Sequence, residues 1–430
     1  MKSHHPLEQF DPLPQVIKWL VISSVIGVLS GTASAAFLAS LEFVTDWRES
    51  HLWIIAFLPV AGFIIGWVYL HLGKNVEAGN NLLIDEIHDP KSTVPLRMTP
   101  LIFVSSVATH FFGGSAGREG TAIQMGGSLA DQLSAPLKLS PEDRRIVLMA
   151  GISGGFASVF GVPLAGTVFG FEVLAIGRLR YDAIFPCLVA AIVGHEVTLA
   201  WGIQHAVYLI PAVPLMTASG LLCSVVAGIS FGVVGMLFAE VTHRVKEICG
   251  RLIEYPPFRP MGGGILITAL VWLTGTTKYI GLGIPTMMNA FLQPLPVWDF
   301  AGKFVMTVLT LGSGFKGGEV TPLFYIGATL GNALSRILPL PLPLLAGMGF
   351  VAVFAGAANT PLACTLMGIE LFGAGPAVYV GVACVVSYLF SGHAGIYHSQ
   401  RVGSSKHAHR RHEEGLTLRS LRSARRGEKE

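Results

Sequence analysis

A carboxylate held between glycines is the feature of this chain best suited to chemistry. Glu119 lies in Gly117-Arg118-Glu119-Gly120-Thr121, and Glu319 in Gly317-Gly318-Glu319-Val320-Thr321-Pro322, both in apolar sequence. An ionisable side chain in such surroundings is energetically expensive and by default a functional candidate. Burial disfavours a charged carboxylate, whereas the positive end of a helix favours it. Those opposed pulls would make the charge of Glu119 respond to whether another anion occupies the neighbouring space. The competing reading of Glu119 is structural, as a partner of Arg118 or of a backbone amide. Hydrolytic chemistry is not supported. His195-Glu196 lacks the second histidine of H-E-x-x-H, since Leu199 stands there, and neither Ser115 nor Ser313 sits in a G-x-S-x-G turn. The five cysteines are scattered, with no metal-ligand spacing and no disulfide framework. No catalytic site, metal or cofactor is expected.

The segments around these carboxylates come in pairs. Gly79-Asn80-Asn81-Leu82 is answered by Gly281-Leu282-Gly283-Ile284, and Gly117-Arg118-Glu119-Gly120-Thr121 by Gly318-Glu319-Val320-Thr321-Pro322. Val162-Pro163-Leu164-Ala165-Gly166-Thr167, running on to Gly170-Phe171-Glu172, is answered by Thr360-Pro361-Leu362-Ala363-Cys364-Thr365, running on to Gly368-Ile369-Glu370. The offsets are 202, 201 and 198 residues, in order, which indicates two structurally equivalent halves. Hydrophobic residues make up 52% of the chain and charged ones 13%, and the stretches 19–41, 52–73, 206–239, 337–369 and 371–400 contain no Asp, Glu, Lys or Arg. About 20 apolar helical residues span a hydrocarbon core, so the chain reads as a polytopic helical membrane protein. Continuous apolar runs without period-two alternation argue against a β-barrel.

Helices are expected near 15–45, 52–72, 97–112, 121–135, 143–159, 163–177, 182–203, 212–250, 262–275, 299–311, 321–336, 343–357, 361–373 and 376–391. Several are too short to cross a bilayer upright and are bounded by glycine or proline, as at Gly113-Gly114, Pro163, Gly312-Ser313-Gly314 and Pro361. Broken helices leave unpaired backbone groups, which are tolerated where protein buries them or where they line a cavity. Paired glycine-interrupted segments in two halves point to a transport site, and helix N-termini can hold an anion without lysine or arginine. The blander reading is glycine serving close helix packing alone.

At these residues the chain resembles the CLC family of chloride channels and anion/proton antiporters. Gly117-Arg118-Glu119-Gly120-Thr121 is similar to the family's G-[KR]-E-G-P element, and Gly317-Gly318-Glu319-Val320-Thr321-Pro322 with Gly327-Ala328 to its G-x-F-x-P…G-A element. The resemblance covers nearly the whole chain to about residue 400. It implies a homodimer, each subunit with its own anion path between inverted-topology halves. It also implies that Glu119 is the gate, competing with the anion and carrying the proton. Tyr397 matches the tyrosine whose hydroxyl contacts the central anion; spacing alone would equally allow an interfacial anchor.

The departures carry as much information. Asn80 stands where the family's G-S-G-I-P serine is expected, Thr121 replaces the proline after the gate, and Val320 replaces the phenylalanine, flanked by Glu319 and Thr321. Glu172 matches the first of two adjacent glutamates of many antiporters, and Val173 replaces the second, the inner proton relay. This combination resembles the fluoride-exporting branch. Fluoride is small and tightly hydrated, so a selective site needs several strong donors; the Asn80 amide offers two N–H groups against a serine's one O–H. A turn is the plain alternative for Asn80-Asn81. Glu319 is read as a selectivity group or as a substitute proton relay. Glu172 and Glu370 are read as structural helix ends, and Lys74, Asp85, Glu86 and His88 as facing water.

The expectation is therefore an all-α, inverted-repeat CLC-type protein that exports fluoride in exchange for protons. A chloride/proton antiporter or passive chloride channel is the alternative. Glu119 would gate and transfer protons; Asn80, Asn81, Gly120, Thr121, Val320, Thr321 and Tyr397 would contact the anion. The expected organisation is a cytoplasmic segment 1–14, half-repeats 15–205 and 206–400, and a basic cytoplasmic tail 401–430. Nine Lys/Arg and four Glu follow position 400, and this tail is expected to be partly disordered. Expected partners are fluoride or chloride, protons, membrane lipid and a second copy of the chain, with no nucleic acid. Both termini would be cytoplasmic, in a multi-pass protein of the inner membrane.

Overall fold

The computed structural model describes residues 13–425. Most of the expected N-terminal segment 1–14, and the last five residues of the tail, lie outside the described residues. The first half comprises α1 (Leu13–Ser50), α2 (Leu58–Leu72), α3 (Asn80–His88), α4 (Met98–Phe111), α5 (Glu119–Asp131), α6 (Pro141–Phe160), α7 (Pro163–Glu172) and α8 (Ile184–Ala200). The second repeats that order with α9 (Ala218–Leu252), α10 (Phe258–Thr274), α11 (Ile284–Asn289), α12 (Asp299–Ser313), α13 (Val320–Leu334), α14 (Leu342–Ala358), α15 (Pro361–Phe372) and α16 (Ala377–Phe390). A last helix, α17 (Leu418–Arg425), belongs to the tail. The expected all-α repeat architecture is the one observed.

Matching helices pack alike: α1 lies on α8 as α9 lies on α16, and α5 on α6 as α13 on α14. Glycine sets the spacing of the second pair. A Cβ on Gly126 would fall 2.3 Å from the carbonyl of Gly151, and one on Gly327 1.9 Å from that of Gly349. Helix α14 is buried on every side from Leu344 to Ala358. By contrast, α1, α2, α9 and α10 turn Val21, Trp67, Leu222 and Leu273 outward. Among the described residues, the helical stretches Leu13–Ser50, Leu52–Leu72, Tyr181–Ala200 and Ala218–Leu252 are long and apolar enough to cross a membrane. Short buried helices inside a shell of long apolar ones are what an intramembrane cavity requires.

The halves also hold each other directly. Glu172, at the end of α7, accepts from the backbone N–H groups of Leu362 (3.0 Å) and Ala363 (2.8 Å) at the start of α15. Glu370, on α15, accepts from Leu164 and Ala165 (2.8 Å each) at the start of α7. Each carboxylate thus meets the positive end of the other half's helix.

Three expectations need correction. The tail is not a loose extension as far as Arg425. Arg401–Val402 pairs in parallel with Ala175–Ile176, and Leu418 and Leu421 bury against Ile176 and Val402. Lys406 threads its ammonium among Asn359 Oδ1 (2.5 Å), the carbonyls of Tyr388 and Gly392 (2.6 Å each) and Ser391 Oγ (3.0 Å). Its burial lowers its pKa well below the ordinary lysine value. Second, Glu86 does not face water: it is buried and paired with Arg144 at 3.0 Å, which also grips Asp131 at 2.8 Å. Third, His88 is half-buried, its Nε2 2.9 Å from the carbonyl of Leu174.

Candidate functional site

The two halves meet at a two-residue antiparallel bridge. Gly117 N–H donates to the Gly318 carbonyl (2.6 Å), and Gly318 N–H to the Gly117 carbonyl (2.8 Å). No side chain fits there: a Cβ on Gly318 would lie 2.7 Å from the nitrogen of Gly120. From this bridge α5 and α13 start beside each other, so two helix N-termini with unpaired N–H groups converge.

Glu119 is fully buried at that convergence. Its carboxylate accepts from Thr321 N–H (3.0 Å) and, through both oxygens, from the Thr321 hydroxyl (2.7 and 2.6 Å). Arg118 adds a longer backbone contact (3.3 Å) and its Nε at 3.5 Å. The carboxyl group therefore occupies the dipole-favoured position at the head of α13, where a small anion would also be held. The Arg118 contact fits a structural role; the shorter ones cross to the other half.

Gly120 separates this position from a cavity of about 460 Å³. A Cβ on Gly120 would come within 3.1 Å of Asn80 Nδ2 and 3.4 Å of Glu319 Oε2, so both side chains abut the backbone next to Glu119. Asn80 opens α3 after Gly79, whose φ of +60° and ψ of −128° no L side chain adopts readily. Asn80, Asn81, Glu319 and Tyr397 all line the cavity. Asn80 Oδ1, Glu319 Oε2 and the Tyr397 hydroxyl are enclosed and, among the described residues, have no hydrogen-bond partner. Buried polar groups are ordinarily satisfied, so three converging exceptions mark a place for a ligand, water or proton.

Two of the expected residues are also held by other contacts. The Thr121 hydroxyl is 2.7 Å from Ser106 Oγ on α4, turned away from Glu119. Asn81 Oδ1 accepts from Ser399 N–H (3.0 Å), tying α3 to the loop that carries Tyr397. The amide at the Glu119 carboxylate is that of Thr321, the residue after Val320. Sequence reasoning missed Gln124, Lys246, Lys316 and Arg419, which also line the cavity. Lys316 follows the Gly312-Ser313-Gly314 break closely enough to have been flagged; nothing in linear spacing points to Arg419.

The doubled helix set that positions these groups has counterparts in known proteins. The family model described as voltage gated chloride channel matches residues 61–392. The chain belongs to the CLC family. A "Chloride/fluoride channel protein" of Pseudomonas syringae pv. tomato is 57% identical over 421 residues, covering 96% of this chain and 93% of that protein. An H(+)/Cl(−) exchange transporter, ClcA of Vibrio vulnificus, is 28% identical, covering 83% of this chain and 82% of its own length. Among solved structures, a CLC-type fluoride/proton antiporter superposes with a TM-score of 0.87 at 35% identity, over 90% of this chain and 98% of that one. A slow cyanobacterial Cl−/H+ antiporter, at 22% identity and a TM-score of 0.77, shares the fold. The protein is thus an integral, multi-pass CLC membrane protein, and transport rather than catalysis is the activity these matches point to.

Proposed function

We propose that this CLC protein exports fluoride from the cytoplasm in exchange for inward-moving protons. The observation that carries the reading is the Glu119 carboxylate, fully buried and held by the Thr321 amide and hydroxyl. Protonation would remove its charge and weaken those charge-assisted hydrogen bonds, freeing the head of α13 for fluoride. The departing carboxylic acid carries the proton. Asn80 and Tyr397 would meet the anion on the cavity side of Gly120, with Glu319 passing protons or tuning selectivity there. Asn81, Thr121 and Val320 would shape the site through their neighbours. The fluoride/proton antiporter fold at 35% identity supports the choice of ion. Two copies would assemble in the inner membrane with both termini cytoplasmic, each half-repeat contributing one side of the path.

The second reading is a passive chloride or fluoride channel, favoured by Val173 where the family's inner proton relay would stand. The test is efflux from proteoliposomes loaded with fluoride or chloride, with ion-selective electrodes and external pH followed together. Fluoride leaving much faster than chloride, with protons driven inward uphill, is expected. Fluoride efflux without proton movement would establish the channel, and comparable chloride efflux would refute fluoride preference.

A further inference from the structure

The tail also meets the membrane-spanning helices at a groove on the outer side of α9 and α16. Two adjoining cavities, of about 380 and 220 Å³, share Glu240 of α9, His393 and Ala394 of the loop after α16, and Arg425 of α17. Arg422 is the one lining residue they have in common with the cavity of Asn80 and Tyr397. Part of the groove is apolar, lined by Met236, Leu389 and Phe390. Phe390 is exposed, and so is Leu237 next to Met236, so this part opens on the apolar outer face of the helices. The rest is basic: Arg244, Arg410, Arg422 and Arg425 line it, against the carboxylate of Glu240. Helix α9 changes character at the same level. Its exposed residues are apolar at Leu222, Val226, Val233 and Leu237, and charged at Arg244 and Lys246. The groove therefore straddles the line where the helix surface passes from hydrocarbon-compatible to polar.

The arginines differ in what already holds them. Arg425 donates to Glu413 (3.1 and 3.2 Å), which also pairs with His393, and Arg244 lies 3.4 Å from Glu240, one turn before it on α9. Arg410, in the tail segment Ala408–Glu413, is half-buried, yet its guanidinium makes no hydrogen bond or ion pair among the described residues. A Cβ on Gly392 would lie 3.8 Å from Arg410 Nη1, which seats this guanidinium over the end of α16. A half-enclosed guanidinium with no partner, beside an apolar face, fits an occupant that carries negative charge at one end and hydrocarbon at the other.

We propose that this groove holds an anionic phospholipid, its phosphate on Arg410 and Arg244 and its acyl chains over Leu237, Met236 and Phe390. The planar fork of a guanidinium matches two phosphate oxygens at once. A water-soluble phosphate would use the arginines and leave the apolar part uncovered, while a zwitterionic lipid would bring its own cation against them. The site stands apart from the transported ion and does not depend on which anion the protein moves.

The test is native mass spectrometry of the full-length protein in detergent, titrated with phosphatidylglycerol or phosphatidylcholine. Wild type is compared with Arg410→Glu, Arg410→Gln, Arg244→Glu and Arg411→Glu. One phosphatidylglycerol per subunit is expected to bind about fivefold or more tightly than phosphatidylcholine, and Arg410→Glu should abolish that preference. Arg410→Gln, which removes the charge alone, and Arg244→Glu should each weaken binding about fivefold. Arg411 is exposed and does not line the groove, so Arg411→Glu should bind as wild type does. Phosphatidylglycerol should also raise the unfolding temperature of wild type and leave that of Arg410→Glu unmoved. The unfolding temperatures without lipid report whether either Arg410 variant disturbs the tail. Equal binding of the two lipids, undiminished binding in both Arg410 variants, or an equal loss in Arg411→Glu would overturn the site. Displacement of phosphatidylglycerol by millimolar inorganic phosphate would show a pocket for free phosphate and refute the lipid.

Discussion

The two halves share one backbone plan and divide the chemistry between them. At an offset of 201, Gly117 faces its own counterpart, Gly318, across the bridge, while Glu119 corresponds to Val320 and Gly120 to Thr321. One half therefore supplies the carboxylate, and the other supplies the hydroxyl and amide that receive it. The interrupted loops diverge as well. Asn80 opens onto the cavity, whereas its counterpart loop is plugged: buried Lys303 donates to the Gly281 carbonyl (2.6 Å) and the Tyr279 carbonyl (3.2 Å). The guanidinium of Arg48 packs against Gly281, leaving no room for a Cβ farther than 3.0 Å from it. Where the structure only needs helix ends satisfied, symmetry is kept, as in the reciprocal caps of Glu172 and Glu370. It is abandoned at the proposed ion site.

Giving one half its counterpart's residue is the most direct way to break this division. Glu119→Val is expected to have the largest effect, abolishing proton movement while some anion leak remains; persistent uphill proton uptake would defeat the gate assignment. Thr321→Ala removes the hydroxyl that Gly120 lacks. A hydrogen bond to a charged group contributes about 1.5–3 kcal/mol, so coupled efflux should fall about tenfold or more, with Thr321→Ser staying near wild type. Asn80→Leu installs the residue of position 282. It should weaken fluoride dependence by about threefold to tenfold, as expected for one lost neutral donor, and an unchanged half-saturation would return Asn80 to a turn residue. The smallest effect sharpens the symmetric side. Glu172→Ala and Glu370→Ala should each cost about 1 kcal/mol, as for a lost helix cap, and by similar amounts in thermal unfolding of the detergent-solubilised protein. A cost confined to one of them would show that the caps are not equivalent.

What the sequence revealed and what it concealed divide along the same line. Glycine motifs at nearly constant offset exposed the repeat, and proline fixed the starts of α7 and α15 at 163 and 361, as expected. Helices α3 and α11 were not expected as helices because they run for only 9 and 6 residues, too short for an apolar period to register. Glu119 was legible because a lone carboxylate among glycines is costly. The rotation of Thr121 toward Ser106 was not, since a hydroxyl's direction at a helix start depends on which neighbour packs there. The tail looked unstructured because Leu418 and Leu421 are isolated among basic residues. Their apolar partners, Ile176 and Val402, become adjacent only once the short parallel strands pair.

The Gly117–Gly318 bridge also bears on how such a protein can come to exist. A contact between two identical partners, each presenting the same residue to its copy, can only set like against like. Two identical half-length chains joined at this bridge would bring either two carboxylates or none to the shared axis. Two would repel, and none would leave nothing to titrate. Writing both halves into one polypeptide lifts that restriction, because position 119 and position 320 can then change independently. A lone acid facing a threonine is thus an arrangement that covalent fusion permits and that identical halves could not reach.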